Sequence, residues 1–388
     1  MTSLRIAVIG ARGVPATFGG IERHVEELGS RLVARGHDVT VYSRSNYVPA
    51  GIESYRGMRV RRLPAVGTKH LDAISHSALS TLHAMPQNYD VIHFHALGPG
   101  LLSPLPRTLR STAVVQTVHG LDDDRAKWGG VAKRVLLTAG WMSARVPDAT
   151  VVVSEALKDH YQDRRKCNAF HINNGVNAAV HRPARRIVDE LGLEPQRYIL
   201  FVGRFVPEKA PDVLMRAFQL VPHDVKLVLA GGSSFTDDYT AELQRLAAED
   251  DRVVLPGYVY GELLEELYAN AAAFCLPSYL EGLPLTLLEA ASYGLPLIGS
   301  DIAPNLQIMG PDGSGRRLTR AGDVAGLAKA LTTVLDDQHL EAAGSHKLAP
   351  DLMRMYSWDH AAEQTENVYY EALATVSQGR GRRRAARS

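Results

Sequence analysis

The chain has 388 residues, of which 45% are hydrophobic and 22% charged, a composition typical of a globular protein with two or three domains. A net charge of +1 excludes a strongly basic nucleic-acid-binding fold, and no run of 18 apolar residues predicts a membrane span. Two cysteines are too few for a disulfide framework, and neither has metal-ligand spacing, so a reducing cytoplasm is expected. No signal peptide is expected, since the first residues lead straight into a predicted strand.

Short apolar runs of strand length alternate with longer stretches of helical periodicity. In the first half, the predicted strands cover residues 4–10, 38–43, 58–63, 91–95, 113–119, 150–154 and 169–172. The first predicted helix covers residues 22–35, with Val25, Leu28 and Leu32 on one face, and Gly36 ends it.

A second series of alternating elements starts near Tyr198. Its predicted strands cover residues 198–203, 226–231, 252–255, 273–276 and 296–300, and helices are predicted at 212–220, 237–248, 263–269 and 285–293. Residues 178–195 are polar and are predicted to form a linker. The alternation predicts the α/β class, with two doubly wound, Rossmann-like domains facing across a cleft. Ligands of such sheets bind beyond the carboxyl ends of the strands.

The loop after the first strand is rich in glycine, at positions 10, 13, 19 and 20. The spacing does not match G-x-G-x-x-G, and the second strand ends at Arg44 without the acid that holds an NAD ribose, so an NAD site is not predicted. Gly19 and Gly20 nevertheless lie at a helix N-terminus, where free N–H groups attract anions. The alternative is a tight turn without a ligand.

Two cations follow the first strand of the second half. Gly203 ends that strand, and Arg204 and Lys209 are five residues apart in the loop after it. Arg provides planar two-point contact and Lys a compact charge, which together suit a diphosphate, although solvated loops carry the same residues.

Two carboxylates flank the start of a helix predicted near Leu285. Glu281 lies in the loop before it, and Pro284 fits the first helical position. Glu289 lies one turn into an otherwise apolar helix, where a charged carboxylate needs a partner such as a sugar hydroxyl.

Three weaker features also end predicted strands. Tyr258 and Val259 follow one strand, and the backbone there suits either a nucleobase edge or a plain turn. His119 ends another. His93 and His95 share a strand face, but no third ligand follows at metal spacing, which favours core histidines over a metal site.

Taken in order, these motifs resemble the retaining glycosyltransferases of the family-4 type, which have the GT-B fold. Glu281 and Glu289 match the E-x7-E motif of that family, and the resemblance covers nearly the whole chain. It is carried also by GGIERHV from Gly19, VIHFH from Val91, VHG from Val118, NGV from Asn174, and Gly203, Arg204 and Lys209. The segments GARGVP from Gly10, HGLD from His119 and RAKWG from Arg125 look most like a bacterial subgroup that makes surface polysaccharides and includes rhamnosyltransferases.

The resemblance implies a role for each matching residue. Arg204 and Lys209 would bind the donor diphosphate, Glu289 the ribose, and Glu281 and His119 the transferred sugar. His119, Glu281, Arg204 and Lys209 are therefore the catalytic candidates. The other donor-site candidates are Gly19, Gly20, Gly203, Tyr258, Val259, Gly282, Leu283, Pro284, Leu285 and Glu289. The acceptor-side candidates are Asp122, Arg125 and Trp128.

The resemblance also implies retention of anomeric configuration by front-face attack. The expected donor is linked to UDP, GDP or dTDP, the expected acceptor is a saccharide or a lipid-linked saccharide, and no metal or other cofactor is expected. Asp122 to Asp124 form an acidic run rather than a D-x-D metal motif after a strand. Many relatives have E-G-F-G where this chain has Glu281-Gly-Leu-Pro284, so the identity of the sugar stays open.

The implied organisation is an acceptor-binding domain over residues 1–182, a donor-binding domain over 183–355, a helix over 356–376 that crosses back onto the first domain, and a disordered tail over 377–388. The tail carries five arginines and no acid, which suits either solvent or weak contact with an anionic membrane face.

Two other functions fit a two-domain fold of this kind. A nucleotide-sugar epimerase needs bases that remove a sugar proton, and no such constellation is found. A catalytically silent nucleotide-sugar-binding subunit tends to lose residues such as Lys209 and Glu281, which this chain keeps. No nucleic-acid partner is expected.

Overall fold

The computed structural model describes residues 2–17, 19–67, 72–109, 112–120, 130–232 and 237–385. The acceptor-side candidates Asp122, Arg125 and Trp128 lie outside these residues. The chain divides into two compact units, one formed by Met1–Asn174 with Trp358–Ser388 and the other by Gly175–Ser357.

The sheet of the first unit has eight strands among the described residues. They are β1 (Arg5–Ile9), β2 (Asp38–Arg44), β3 (Ser54–Tyr55), β4 (Met58–Leu63), β5 (Val91–His95), β6 (Ala113–Val118), β7 (Ala149–Val152) and β8 (Phe170–His171). Their order is β3-β4-β2-β1-β5-β6-β7-β8, and they run parallel except for β3, which is antiparallel to β4.

Helices cover this sheet and bury its central strands on both faces, as a parallel sheet requires. The helices are α1 (Gly20–Ala34), α2 (Asp72–Ala84), α3 (Leu97–Gly100), α4 (Pro104–Leu109), α5 (Gly130–Ser143) and α6 (Glu155–Arg165). Ile6, Ile9, Ile92 and Phe94 are at most 1% exposed, so the core follows the middle of the sheet.

The second unit repeats this architecture with a fully parallel sheet of six strands. They are β9 (Tyr198–Val202), β10 (Lys226–Ala230), β11 (Val253–Gly257), β12 (Ala273–Leu276), β13 (Leu297–Ser300) and β14 (Arg316–Thr319). Their order is β11-β10-β9-β12-β13-β14, so the strand order reverses between β9 and β12. The helices are α7 (Arg186–Leu191), α8 (Pro211–Phe218), α9 (Asp237–Ala247), α10 (Gly261–Asn270), α11 (Leu285–Ser292), α12 (Ala303–Met309), α13 (Val324–Asp336) and α14 (Gln338–Met355).

The predicted α/β class with two doubly wound parallel sheets is confirmed. The predicted linker over 178–195 is wrong in part, because α7 lies within it and packs against α10. The carboxylate of Glu266 accepts hydrogen bonds from the Arg185 and Ile187 amides at the start of α7, so a distant side chain fixes this short helix.

The last helix, α15 (Trp358–Ala385), belongs to the first unit, where it packs against α1, β6 and β7. The chain therefore returns to the unit in which it began. The helix α15 continues to Ala385, beyond residue 376, where the predicted crossing helix ends. Four of the nine residues from 377 to 385 are arginine, which is a strong helix former. Within the part of the chain that is described, no helix has both the length and the apolar character needed to cross a membrane.

Candidate functional site

The carboxyl ends of β9 and β12 carry the strongest group of candidate residues. The strand order of the second sheet reverses between these two strands, and open α/β sheets bind ligands at such a switch point. Gly203 and Arg204 follow β9, and Glu281 follows β12. The sheet topology thus brings together Lys209 and Glu281, which are 72 positions apart in the chain.

Lys209 and Glu281 form an ion pair at this switch point. Lys209 Nζ lies 2.5 Å from Glu281 Oε1, and their side chains are 17% and 8% exposed. The Ser278 hydroxyl donates to the same carboxylate oxygen at 2.7 Å. The predicted diphosphate cation and the predicted sugar carboxylate are therefore direct neighbours.

Backbone hydrogen bonds hold the two loops that carry this pair. Lys209 ends a short 3-10 helix, Pro207–Lys209, and the carbonyl of Glu208 accepts from the amides of Tyr279 and Leu280 at 2.9 and 3.4 Å. The Phe205 amide donates to Gly232 O at 2.8 Å, which fixes the chain just after Arg204. The two loops are consequently tied to each other and to the end of β10.

Helix α11 begins at the same edge of the sheet. Pro284 is its N-cap, one residue before the position predicted for it, and Leu285 is its first residue. Gly282 forms the bend before the cap, and Leu283 is buried. The Thr286 hydroxyl oxygen in the first turn is buried and has no hydrogen-bond partner among the described residues. Sequence inspection missed Thr286, although its place in the first turn of a helix, next to the free N–H groups, is the signal that marks it.

Glu289 lies one turn further along α11 and is partly buried. The Tyr268 hydroxyl of α10 donates to its Oε2 at 3.1 Å. Burial, and then the Glu289 carboxylate, raise the pKa of Tyr268 far above its usual range, so the phenol remains a donor. The Tyr268 hydroxyl therefore stabilises part of the negative charge of Glu289, for which the sequence suggested a sugar hydroxyl as the partner.

Tyr258 and Val259 follow β11 at the same end of the sheet. The Tyr258 ring is 37% exposed and stacks on Tyr260, with ring centroids 6.1 Å apart and planes 10° apart. Val259 is 9% exposed. An exposed stacked aromatic pair provides a flat apolar surface of the kind on which a base can stack.

In the first unit, the glycine-rich loop is held by the carboxylates of α1. Gly19 has φ +107° and is the N-cap of α1, and a Cβ at this position would collide with the Glu22 carboxylate. Glu22 Oε1 accepts from the Arg12 amide at 2.9 Å, and Glu26 Oε2 accepts from the Ala16 amide at 2.7 Å. These acids occupy amides that a phosphate would use, which disfavours a phosphate role for the loop.

His119 lies just after β6 and is partly exposed. Its Nε2 is 3.0 Å from His95 Nδ1 at the end of β5. His93 lies on the same strand face as His95, with ring centroids 4.2 Å apart, and its nitrogens pair with Tyr369 Oη and Thr117 Oγ1 at 2.8 and 2.7 Å. His93 is therefore the satisfied core histidine that the sequence favoured.

A third histidine, His24 on α1, lies next to His95 and His119, and the spacing of the sequence did not indicate it. One ring nitrogen from each of His24, His95 and His119 lies within 4.8 Å of the others, a grouping that could hold a metal ion. The pKa of His24 is lowered to about 4 by burial, and burial likewise holds the pKa values of His95 and His119 well below 6.5.

Two family models match adjoining parts of the chain. The family described as Glycosyltransferase Family 4 matches residues 18–180, and that described as Glycosyl transferases group 1 matches residues 184–347. The D-inositol 3-phosphate glycosyltransferase of Mycolicibacterium smegmatis is 28% identical over 100% of this chain and 95% of its own length.

Solved structures share the same fold. A sucrose-phosphate synthase from Thermosynechococcus elongatus has a TM-score of 0.82 and 24% identity, covering 96% of this chain and 99% of its own. The Anabaena protein HepE, in complex with UDP and glucose, has a TM-score of 0.78 and 16% identity, covering 94% of this chain and 99% of its own.

Proposed function

Because this chain belongs to the family-4-type glycosyltransferases and uses a nucleotide sugar, we propose that it transfers the sugar to an acceptor hydroxyl with retention of anomeric configuration. The acceptor we propose is a saccharide or lipid-linked saccharide in the synthesis of a bacterial surface polysaccharide or glycoconjugate. The observation that carries the site assignment is the Lys209–Glu281 pair at the switch point of the second sheet.

The cations act on the leaving group. As the bond between the anomeric carbon and the diphosphate breaks, negative charge grows on the leaving oxygen, and Arg204 and Lys209 stabilise it. The free N–H groups at the start of α11 and the Thr286 hydroxyl add donors aimed at the same charge. In this proposal, fixed protein cations and donors neutralise the diphosphate without a metal ion.

Glu281 has two effects in this scheme. Its carboxylate holds the Lys209 ammonium in place, and its negative charge stabilises the positive charge that develops at the anomeric carbon. The acceptor oxygen then bonds to that carbon on the face the diphosphate leaves. The acceptor proton passes to an oxygen of the departing phosphate, so atoms and charge balance and the configuration is kept.

Glu289 is assigned to the ribose of the donor. An ionised carboxylate offers about four acceptor positions, and Tyr268 uses one of them. His119 is assigned a hydrogen bond to the transferred sugar. Tyr258 and Val259 are assigned to the base, since the exposed ring of Tyr258 is sequence-adjacent to backbone groups that can read a base edge.

The acceptor is assigned to the first unit. The carboxylates of Glu22 and Glu26 on α1 already accept hydrogen bonds from amides of the loop before Gly19, which favours a ligand with hydroxyl groups over an anion at this loop. Asp122, Arg125 and Trp128 remain acceptor-side proposals based on the sequence.

The first test is a thermal-shift panel with UDP, GDP, dTDP, ADP and NAD. UDP is the leading candidate because the structurally similar HepE is found in complex with UDP and glucose. A nucleotide at 100 times its Kd should stabilise the protein by about 2.7 kcal/mol, and the shift should be absent in Lys209→Ala. A shift with NAD alone, or one unchanged in Lys209→Ala, would contradict the site assignment.

The second test identifies the reaction. The matching nucleotide sugar is incubated with candidate acceptors in the presence and absence of EDTA, and the anomeric configuration of the product is read by proton NMR. We expect acceptor-dependent transfer with retention and no effect of EDTA. Inversion would refute the stereochemical proposal, and donor conversion without an acceptor would indicate an epimerase.

A further inference from the structure

A cluster of buried imidazoles lies behind His119 in the first unit. His24 comes from α1, His95 from the end of β5 and His119 from the residue after β6, so three separate elements supply the rings. His24 is 5% exposed and His95 is 1% exposed, whereas His119 is partly exposed. The buried rings of His24 and His95 therefore support the ring of His119, which is the one exposed enough to reach a substrate.

The hydrogen bonds of the cluster give each ring a defined orientation. His95 Nδ1 and His119 Nε2 are 3.0 Å apart, and the ring planes differ by 26° with centroids 5.3 Å apart, which is the geometry of two imidazoles joined edge to edge. Because Nε2 of His119 is engaged, its Nδ1 is the nitrogen left for a substrate. Among the described residues, Nδ1 has no hydrogen bond.

His24 packs against both of the other rings. Its plane stands at 82° to that of His119, with centroids 4.7 Å apart, and at 61° to that of His95, with centroids 5.3 Å apart. Its Nδ1 is 2.7 Å from Asn174 Oδ1, which fixes the ring. Edge-to-face contacts of this kind restrict ring rotation, so His24 blocks the space into which His119 would otherwise turn.

A metal ion held by the same three rings is the alternative. Three imidazoles can hold a zinc ion when their lone pairs converge on one point. Two of the nitrogens already face each other at hydrogen-bond distance. Nε2 of His24 and Nε2 of His95 are buried without partners, and these lone pairs are what an ion would require. Because His95 Nδ1 and His119 Nε2 point at each other rather than at a common point, a hydrogen-bonded cluster is favoured over a metal site.

We propose that His95 is a positioning residue for His119, and that its hydrogen bond, with His24 packed behind it, orients the His119 ring so that Nδ1 faces the sugar. This inference rests on the proposed function, in which His119 contacts the transferred sugar. His95 itself acts only through the neighbouring ring. A displacement of about 1 Å in a group that orients a substrate can cost 10²-fold in rate.

The test compares His95→Phe with His95→Asn. Phenylalanine keeps a planar ring of similar size but removes Nδ1, and we expect kcat to fall by about 10- to 100-fold with the KM of the nucleotide sugar nearly unchanged. The amide of asparagine occupies the place of Nδ1 and should restore part of the lost rate. The ¹⁵N shifts of the His119 ring should show one tautomer in the native protein and a mixture in His95→Phe.

The matched control is His83→Phe. His83 belongs to the same unit and pairs with Tyr42 Oη at 3.0 Å, but it lies outside the cluster. We expect its kcat and its His119 ring signals to match those of the native protein. Retention of native kcat and tautomer in His95→Phe, with only a lower Tm, would overturn the positioning role.

Two further measurements separate the remaining explanations. One equivalent of a bound metal in the purified protein, lost in His24→Phe and His95→Phe, would overturn the inference in favour of a metal site. Full activity in His119→Ala would refute the proposed role of His119, whereas an inactive His119→Ala with a fully active His95→Phe would refute only the positioning role.

Discussion

Lys209 Nζ and Glu281 Oε1 lie 2.5 Å apart at the carboxyl edge of the second sheet, so each catalytic candidate compensates the charge of the other. Removing the cation leaves a mostly buried carboxylate with the Ser278 hydroxyl and without its counter-ion. Lys209→Ala should therefore lower both stability and activity, the latter by about 10²- to 10³-fold in kcat, the cost typical of losing one donor to a developing anion.

Steady-state kinetics and the urea midpoint measure the two effects of this substitution. Arg216→Ala is the control, because Arg216 forms an exposed ion pair with Glu242 on the same unit. That variant should change neither the rate nor the stability measurably. A Lys209→Ala enzyme with native kcat would remove Lys209 from the catalytic site.

Glu289 makes a prediction about the sugar of the nucleotide. If its carboxylate accepts the ribose hydroxyls, the native protein should bind UDP more tightly than 2′-deoxy-UDP by about 10-fold, the value of one hydrogen bond to a charged group. Glu289→Gln should bind the two with nearly equal affinity. Titration calorimetry gives the four Kd values.

Tyr268→Phe is the companion variant for this comparison of UDP with 2′-deoxy-UDP. It removes the hydroxyl that donates to Glu289 Oε2 and leaves the carboxylate, so the preference for UDP over 2′-deoxy-UDP should persist. If Tyr268→Phe lost the preference for UDP and Glu289→Gln kept it, the assignment of the ribose to Glu289 would be wrong.

The parts of the site that sequence reasoning could predict are those set by strand ends. Arg204, Lys209 and Glu281 each follow an apolar run of strand length, and local patterning decides where such runs end. The grouping of His24 with His95 and His119 could not be predicted, because packing of α1 against the sheet creates it and no spacing in the chain encodes it. The contact between Tyr268 and Glu289 could not be predicted for the same reason, since the two residues lie on different helices.

The last helix makes a prediction about stability. Glu366 of α15 is 2% exposed and pairs with Arg35 and with His37, whose Nε2 is 3.0 Å away. Glu366→Ala leaves both partners without this carboxylate and should lower the free energy of unfolding by about 3 kcal/mol. Glu363→Ala, at an exposed site on the same helix, should change it by less than about 0.5 kcal/mol. Equal urea midpoints for the two variants would contradict the structural role of α15.

The buried histidines predict acid sensitivity. The pKa is lowered to about 4 for His24 and His76 and to about 3 for His93, in each case chiefly by burial. Unfolded histidines bind protons near pH 6.5, so unfolding takes up protons between pH 6.5 and about 4, and acid favours the unfolded state. Each such histidine should lower the free energy of unfolding by up to about 1.4 kcal/mol per pH unit in this window.

Urea titrations at pH 7.5, 6.5 and 5.5 test this dependence. On account of these groups, stability should fall modestly between pH 7.5 and 6.5 and more steeply between pH 6.5 and 5.5. His24→Asn should reduce the slope by about one proton. An unfolding free energy that stays constant down to pH 5.5 would mean that these rings are not held neutral in the folded state.

Thr286 gives a prediction in which stability and activity move in opposite directions. Its hydroxyl oxygen is buried in the first turn of α11 without a described partner, so replacing it by a methyl group removes an unsatisfied polar atom. Thr286→Val should therefore be at least as stable as the native protein. If the hydroxyl donates to the donor diphosphate, the same variant should bind UDP about 10- to 100-fold more weakly, the cost of a hydrogen bond to a charged group.

Thr332→Val on α13 is the control, because the Thr332 hydroxyl donates to the helix carbonyl of Ala328. This variant should leave UDP affinity unchanged. Native UDP affinity in Thr286→Val would show that the hydroxyl does not face the phosphate, whereas weaker binding with undiminished stability would separate a ligand contact from a packing role.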